Sequence, residues 1–412
     1  MRAANACVAG VLGLACATAA AQPVQASAQV RAQWLQADAA SAGPVAQANA
    51  LQPGLLGGPD SGATLHSELR ASGHGLSAVV TLEQNRWHGG DGTGRAWVNE
   101  LYAAHDGGAW QFSAGKKIVD WDVGYGFRPN DMVQQEERQA LVSSTPEGRP
   151  LLMAEHFRAD TAWSLVTVNP GAAPSQRGAD EPALAVRVYQ RSGAADWHGF
   201  ARAGVRTGAS LGAALAWVAS DALELHGSLR YSARVDSQAM AAHTGGLLAS
   251  NPWQARTSWD VPQALLGGSW THASQLSVLL EAWWDGRALS DAQWDAWAQR
   301  TAQLDTLARQ GAPAAAVAGN LAWQAQALGG STSLRRGNVL LRLGWQHGAW
   351  QPTLDVLYTP ADRGQVVTAA LRWQGDRVQW QAGVRVTGGP AGAVLAQLPS
   401  ARTVYLASTW SF

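Results

Sequence analysis

Between residues 62 and 412 the chain keeps returning to one pattern, stretches of about ten residues in which every second side chain is apolar. Leu76, Val80 and Leu82 form one such face, and Leu276, Val278, Leu280 and Trp284 another. Val339, Leu341, Leu343 and Trp345 repeat it, as do Val378, Trp380, Val384 and Val386. Successive residues of a strand point to opposite faces, so each stretch has one greasy side and one polar side. No helix period fits them. Many of the greasy faces end in Trp or Tyr, the side chains that settle where hydrocarbon meets water. A soluble β-sandwich also alternates but has no reason to place aromatics that way. The expectation is an all-β chain whose outward faces meet lipid.

Composition agrees. There are 21 Trp against 5 Phe, and Lys occurs only at 116 and 117 among 30 basic residues. Formal net charge is zero, which argues against nucleic acid as a partner. Arg2, the apolar run Ala6–Ala20 and Ala19-Ala20-Ala21 read as a signal peptide over 1–21, leaving 22–412 as one barrel. Cys7 and Cys16 both lie inside that segment. Cleavage after Ala21 would leave no disulfide and no thiolate metal site. A lipoprotein reading of Cys16 lacks the Leu a lipobox wants, since Gly13 stands there.

The connections between stretches alternate in length. Short links fall near Ser72-Gly73, Asp106-Gly107, Ser192-Gly193 and His347-Gly348, and long ones at 38–61, 119–148, 236–261 and 287–332. A tight Thr207-Gly208 turn breaks the rule where a long link is due. Short turns at one rim and long loops at the other are the habit of transmembrane barrels. Counting back from the last stretch gives about 18 antiparallel strands, with 16 as the alternative and Ala28–Ala37 as the first strand. The last stretch, RTVYLASTWSF over 402–412, alternates to the end and finishes on Phe412. It resembles the closing strand of bacterial outer-membrane β-barrels. That resemblance implies an assembly signal at Tyr405, Trp410 and Phe412, read by the assembly machinery, with outer-membrane lipid and lipopolysaccharide around the wall.

Two long loops carry pattern of their own. In 287–332, Ser290 and Gln293 make a capping box, and Trp294, Trp297, Thr301, Leu304 and Ala308 share a helical face. A second helical run, Ala314–Leu328, follows Pro313. The pair is expected to form a hairpin over the long-loop mouth, with a plug inside the bore as the alternative. Loop 119–148 begins VDWDVGYGFRPNDMV after Gly115-Lys116-Lys117. This run resembles a loop of Gram-negative barrels of the porin and alginate-export type. The resemblance implies a pore-constricting loop carrying Asp120, Asp122, Arg128, Asp131, Glu136 and Glu137.

If the apolar faces meet lipid, the polar faces point into the bore. They carry Arg70, Arg187, Arg191, Arg202, Arg206, Arg230, Arg234, Arg342, Arg372 and Arg385. The acids there are Glu68, Glu83, Glu224, Glu281, Asp285 and Asp355. Ten against six leaves an Arg-biased wall, and Arg rings favour anions. The competing reading is that these Arg pair with wall and loop acids and only hold the interior together. Catalytic patterns are thin. No His pair has metal spacing, no G-x-S-x-G is present, and no cofactor is implied. Gly89–Gly94 is a lone Gly/Asp turn, and a hydrolase would have to use His156 or His198. The reading is a channel or exporter for a hydrophilic, anionic solute of the sugar-acid or polysaccharide class. A sheath or docking port for a partner and an outer-membrane hydrolase are the alternatives.

Overall fold

Alternating stretches pair in sequence until the last meets the first. The structure, a computed structural model, describes residues 24–59, 61–134, 141–142, 144–173, 180–241, 246–329 and 333–412. The expected signal peptide, Glu136 and Glu137 lie outside the described residues. Eighteen antiparallel strands are described, each bonded to its neighbours in sequence. In chain order they are β1 (Gln25–Ala39), β2 (Gly62–Gly73), β3 (Leu76–Trp87), β4 (Thr93–Asp106), β5 (Trp110–Lys117) and β6 (Arg149–Phe157). Then follow β7 (Thr161–Val168), β8 (Ala183–Ser192), β9 (Ala195–Gly204), β10 (Gly208–Ser220), β11 (Leu223–Met240) and β12 (Trp253–Thr271). The last are β13 (Leu276–Asp285), β14 (Gly337–Trp345), β15 (Trp350–Thr359), β16 (Gly364–Gln374), β17 (Val378–Gly388) and β18 (Ser400–Ser411). β1 pairs with both β2 and β18, from Gln29↔Ser411 to Ala39↔Ser400, so the sheet closes with no free edge. The expected 18 is the observed number, and the first strand is longer than the Ala28–Ala37 expected.

Exposure follows the alternation. Leu65 and Leu69 on β2, Leu280 and Trp284 on β13, and Val404 and Leu406 on β18 are exposed outward. Between them His66 and Glu68, Leu279 and Trp283, and Tyr405 and Ala407 are buried. Eight exposed Trp (110, 163, 197, 217, 270, 345, 350 and 380) stand at the strand ends beside the short turns. They form an aromatic girdle at one rim. His74 and Gly75 close β2 to β3 with φ of 53° and 76°, which the right-handed twist of a two-residue hairpin requires.

The long-loop rim differs from expectation in two places. The β11–β12 pairing continues to Met240↔Trp253, although β10 stops pairing with β11 at Ser232 and β13 starts on β12 at Gln263. Most of the link expected at 236–261 is therefore a projecting two-stranded ribbon. The link after β1 holds a short helix, α1 (Pro44–Leu51), which sequence reading missed. The expected hairpin is present as α2 (Asp291–Arg309), with its Ser290–Gln293 capping box, and α3 (Ala314–Ala325). Leu304, Val317 and Leu321 bury against Ala48 of α1 and against Leu247 and Leu248. Trp294 and Trp297 pack with Val394, Met240 and Trp253. Four outer connections thus meet in two apolar clusters, to both of which α2 contributes.

Candidate functional site

Apolar residues on an inward face need something to cover them, and the β5–β6 connection does so. Val119, Trp121, Met132 and Val133 lie against Leu151, Met153, Val166, Ala185, Phe200 and Ala214 of β6 to β10. Phe127 stacks on Trp283 at 5.6 Å and packs with Leu265, Leu340 and Leu357 of β12 to β15. The segment therefore runs across the inside of the wall. Burying this apolar surface, at about 25 cal/mol per Å², drives the loop inward.

Polar anchors fix its position. Glu281 on β13 accepts from the backbone N–H of Tyr125 and of Gly126, each at 2.7 Å, and contacts His226 Nε2 at 2.9 Å. Asp122 accepts from Asn130 N at 2.5 Å and from the Ser228 hydroxyl at 2.7 Å. Asn130 Nδ2 donates to Ser228 Oγ and to the carbonyls of Ala213 and Leu229. Burial pushes the Asp122 carboxyl above its usual range, against the pull of the Asn130, Ser228 and Val123 donors and of Arg128. Arg128 pairs with Asp120 and Asp131 and donates to the Asp122 carbonyl. Burial would lower its pKa, but the three surrounding aspartates outweigh this and raise it. The return limb is held by Glu147, which pairs with Lys116 at 2.5 Å and Arg95 at 3.0 Å.

Several sequence-selected residues have other work than lining a bore. Glu281 is fully buried beneath the loop it anchors, Asp122 is buried against Ser228 of β11, and Asp131 is buried beside Arg128. Arg202 is 6% exposed and pairs at 2.7 Å with Glu181, an acid the sequence reading passed over. Arg206 lies between β9 and β10, not on a strand, and pairs with Asp236 at 3.2 Å. Glu181 also accepts from the N–H groups of Arg206 and Thr207. That cluster explains the tight Thr207-Gly208 turn, since a buried carboxylate organises it. Arg342 forms a two-pronged pair with Asp355 at 2.7 and 2.8 Å. Arg187 contacts His198 Nδ1 at 3.2 Å, and Arg385 donates to Thr368 at 3.0 Å. Arg70 pairs with Glu68 at 2.6 Å and donates to Thr145 of the inward loop. Arg191 and Arg372 are exposed, with no ion pair among the described residues. Glu224 stands 3.8 Å from His226 Nδ1.

A cavity of ≈ 650 Å³ opens between the inward loop, the inner faces of β10 and β11, and the α2–α3 connection. Its lining includes Asp131, Arg202, Arg230, Arg234, Asp236 and Arg287. Arg287 pairs with Asp285 at 3.1 Å. Arg230 donates to the Pro129 carbonyl at 2.9 Å, and Arg234 lies over the Trp259 ring at 5.9 Å. Neither makes an ion pair among the described residues. Sequence reading missed Arg287, which lies just beyond β13, and Arg31, which shares the inward face of β1 with its cross-strand partner His66. The Gln29–Arg31–Gln33 alternation opposite Trp34 was the signal for Arg31. At the closing strand, Tyr405 is buried inward, and its hydroxyl accepts from Gln381 at 3.0 Å. Trp410 is half-buried, and Phe412 is exposed while its backbone pairs with Ala28.

No protein-family model matches the chain, and no curated protein matches it in sequence. Solved structures do match in fold. Acinetobacter baumannii OccAB1 aligns at TM-score 0.52 and 9% identity, over 94% of this chain and 96% of its own. Pseudomonas aeruginosa OpdK, solved with vanillate, aligns at TM-score 0.53 and 8% identity, over 94% and 98%. Pseudomonas aeruginosa OccK3 (OpdO) aligns at 0.50 and 10%, over 94% and 95%. The chain has the closed 18-stranded fold of the outer-membrane porins, and its lipid-facing band puts it in the bacterial outer membrane.

Proposed function

We propose that the chain is an outer-membrane channel for small hydrophilic anions, with no catalytic step. The reading rests on the cavity lined by Arg202, Arg230, Arg234 and Arg287. Arg202 and Arg287 are neutralised by Glu181 and Asp285, so Arg230 and Arg234 carry the selectivity. Guanidinium groups that are not in an ion pair attract anions and bind carboxylate or phosphate in a fork. A fixed loop inside the bore and apolar clusters at the rim favour a small sugar acid or similar carboxylate over a polysaccharide, which needs a wide continuous path. OpdK, a fold neighbour, was solved with vanillate, itself a carboxylate. Asp120, Asp122, Arg128 and Asp131 belong to the constriction in this reading, and Arg70, Arg342 and Arg372 to the path beyond it.

Planar-bilayer recording tests this. Ohmic steps whose reversal potential under a salt gradient favours the anion support it. Absence of conductance in the full chain and after deletion of 287–332 overturns it in favour of a docking port.

A further inference from the structure

From Trp121 to Gln134 every residue of the inward loop is buried or half-buried except Tyr125, which is 44% exposed. Over this stretch the loop is pressed to the wall and offers the bore one large exposed side chain. We propose that Tyr125 is the specificity-determining residue of the constriction, acting by size, and that Glu281 with His226 is its fixed mount. This rests on the channel reading above.

The mount is rigid by construction. The two Glu281 oxygens each take one backbone N–H, from Tyr125 and Gly126, which sets the direction in which the Tyr125 side chain leaves the loop. Charge-assisted bonds of this kind are about twice as strong as neutral ones. The Tyr125 ring rests on the His226 ring, centroids 5.5 Å apart and tilted by 56°. Bare backbone makes room for this. A Cβ on Gly267 would stand 2.5 Å from His226 Nε2 and 2.7 Å from Glu281 Cγ. One on Gly126 would stand 2.5 Å from Leu340. The Phe127–Trp283 stack pins the next residue, so the tip is held on both sides. The side chain that remains exposed is a phenol, and its hydroxyl has no hydrogen-bond partner among the described residues.

The test is single-channel conductance together with liposome-swelling rates for neutral sugars of increasing size. Tyr125→Ala is expected to raise conductance about twofold and to admit larger sugars, because pore diameter sets passage. Tyr125→Phe keeps the ring and should keep the cutoff. Glu281→Gln should raise the cutoff in the wild-type background but add nothing in a Tyr125→Ala background, whereas a merely structural role would add in both. An unchanged cutoff in Tyr125→Ala, in a channel that conducts, overturns the inference alone. A wild-type chain that does not conduct overturns the channel reading instead.

Discussion

At Glu181 burial favours the neutral acid, and the Thr207 hydroxyl, Arg202 and two backbone N–H groups oppose it and win. The folded-state pKa therefore lies below the usual carboxylate value. A depressed carboxyl contributes stability above its unfolded pKa and loses it as pH falls through the folded one. Glu181→Gln should cost about 3 kcal/mol near neutrality, because it leaves Arg202 buried beside a neutral group. The gap from wild type should close below the ordinary carboxylate range, which thermal unfolding across pH would reveal. Gly212 offers a second test at this scale. A Cβ there would stand 1.8 Å from Asn130 Oδ1, in the network that ties the inward loop to β10 and β11. Gly212→Ala should cost about 1–3 kcal/mol by overpacking, read as a lowered unfolding temperature. Neither residue was visible as special in the sequence. Glu181 sits just before the first residue of β8, and its partners follow by 21 to 26 positions. Such pairings become local only when β8 and β9 are side by side.

Among the elements, α2 was legible in full because its signals are local. A Ser290–Gln293 box and a Trp294, Trp297, Thr301, Leu304 stripe need only helical spacing. Ser290→Ala should weaken the first turn by about 1 kcal/mol, measured as faster amide exchange there with the strands unchanged. Trp297→Ala removes a buried ring and the indole bond to the Gln324 carbonyl. It should cost its rim cluster about 3–5 kcal/mol and make the α2–α3 connection sensitive to protease. The helix α1 escaped notice because it is one short run after Pro44 with little amphipathic pattern. It exists through packing on Leu304, Val317 and Leu321 rather than through its own propensity. The β11–β12 ribbon was hidden for a similar reason. Its residues alternate weakly, and Asp260 carries a φ of 56° that breaks the pattern.

For the molecule as a whole, the charge of the bore separates Arg into two groups that the sequence could not distinguish. Arg230→Gln with Arg234→Glu should move the reversal potential toward cations while the barrel folds normally by circular dichroism. Arg202→Glu should instead give poor folding, because it sets a second carboxylate against buried Glu181. The same result for both would refute the division.

The alternation, the Trp-tipped faces and the alternating link lengths pointed by themselves to a membrane barrel of about 18 strands, with 16 still open, and the closed pairing decided the count. The first two are period-two signals complete within a single strand, and the third is read between strands adjacent in sequence. The tertiary structure alone decided which polar residues are free. A face assignment puts Glu281, Arg202 and Arg230 on the same inner side, and only the path of the 118–134 segment buries the first beneath a loop. Only the crossing of β8, β9 and the Val205–Thr207 link gives the second its acid. Pairing of this kind depends on which distant segment arrives at a given face, and no local pattern encodes that arrival.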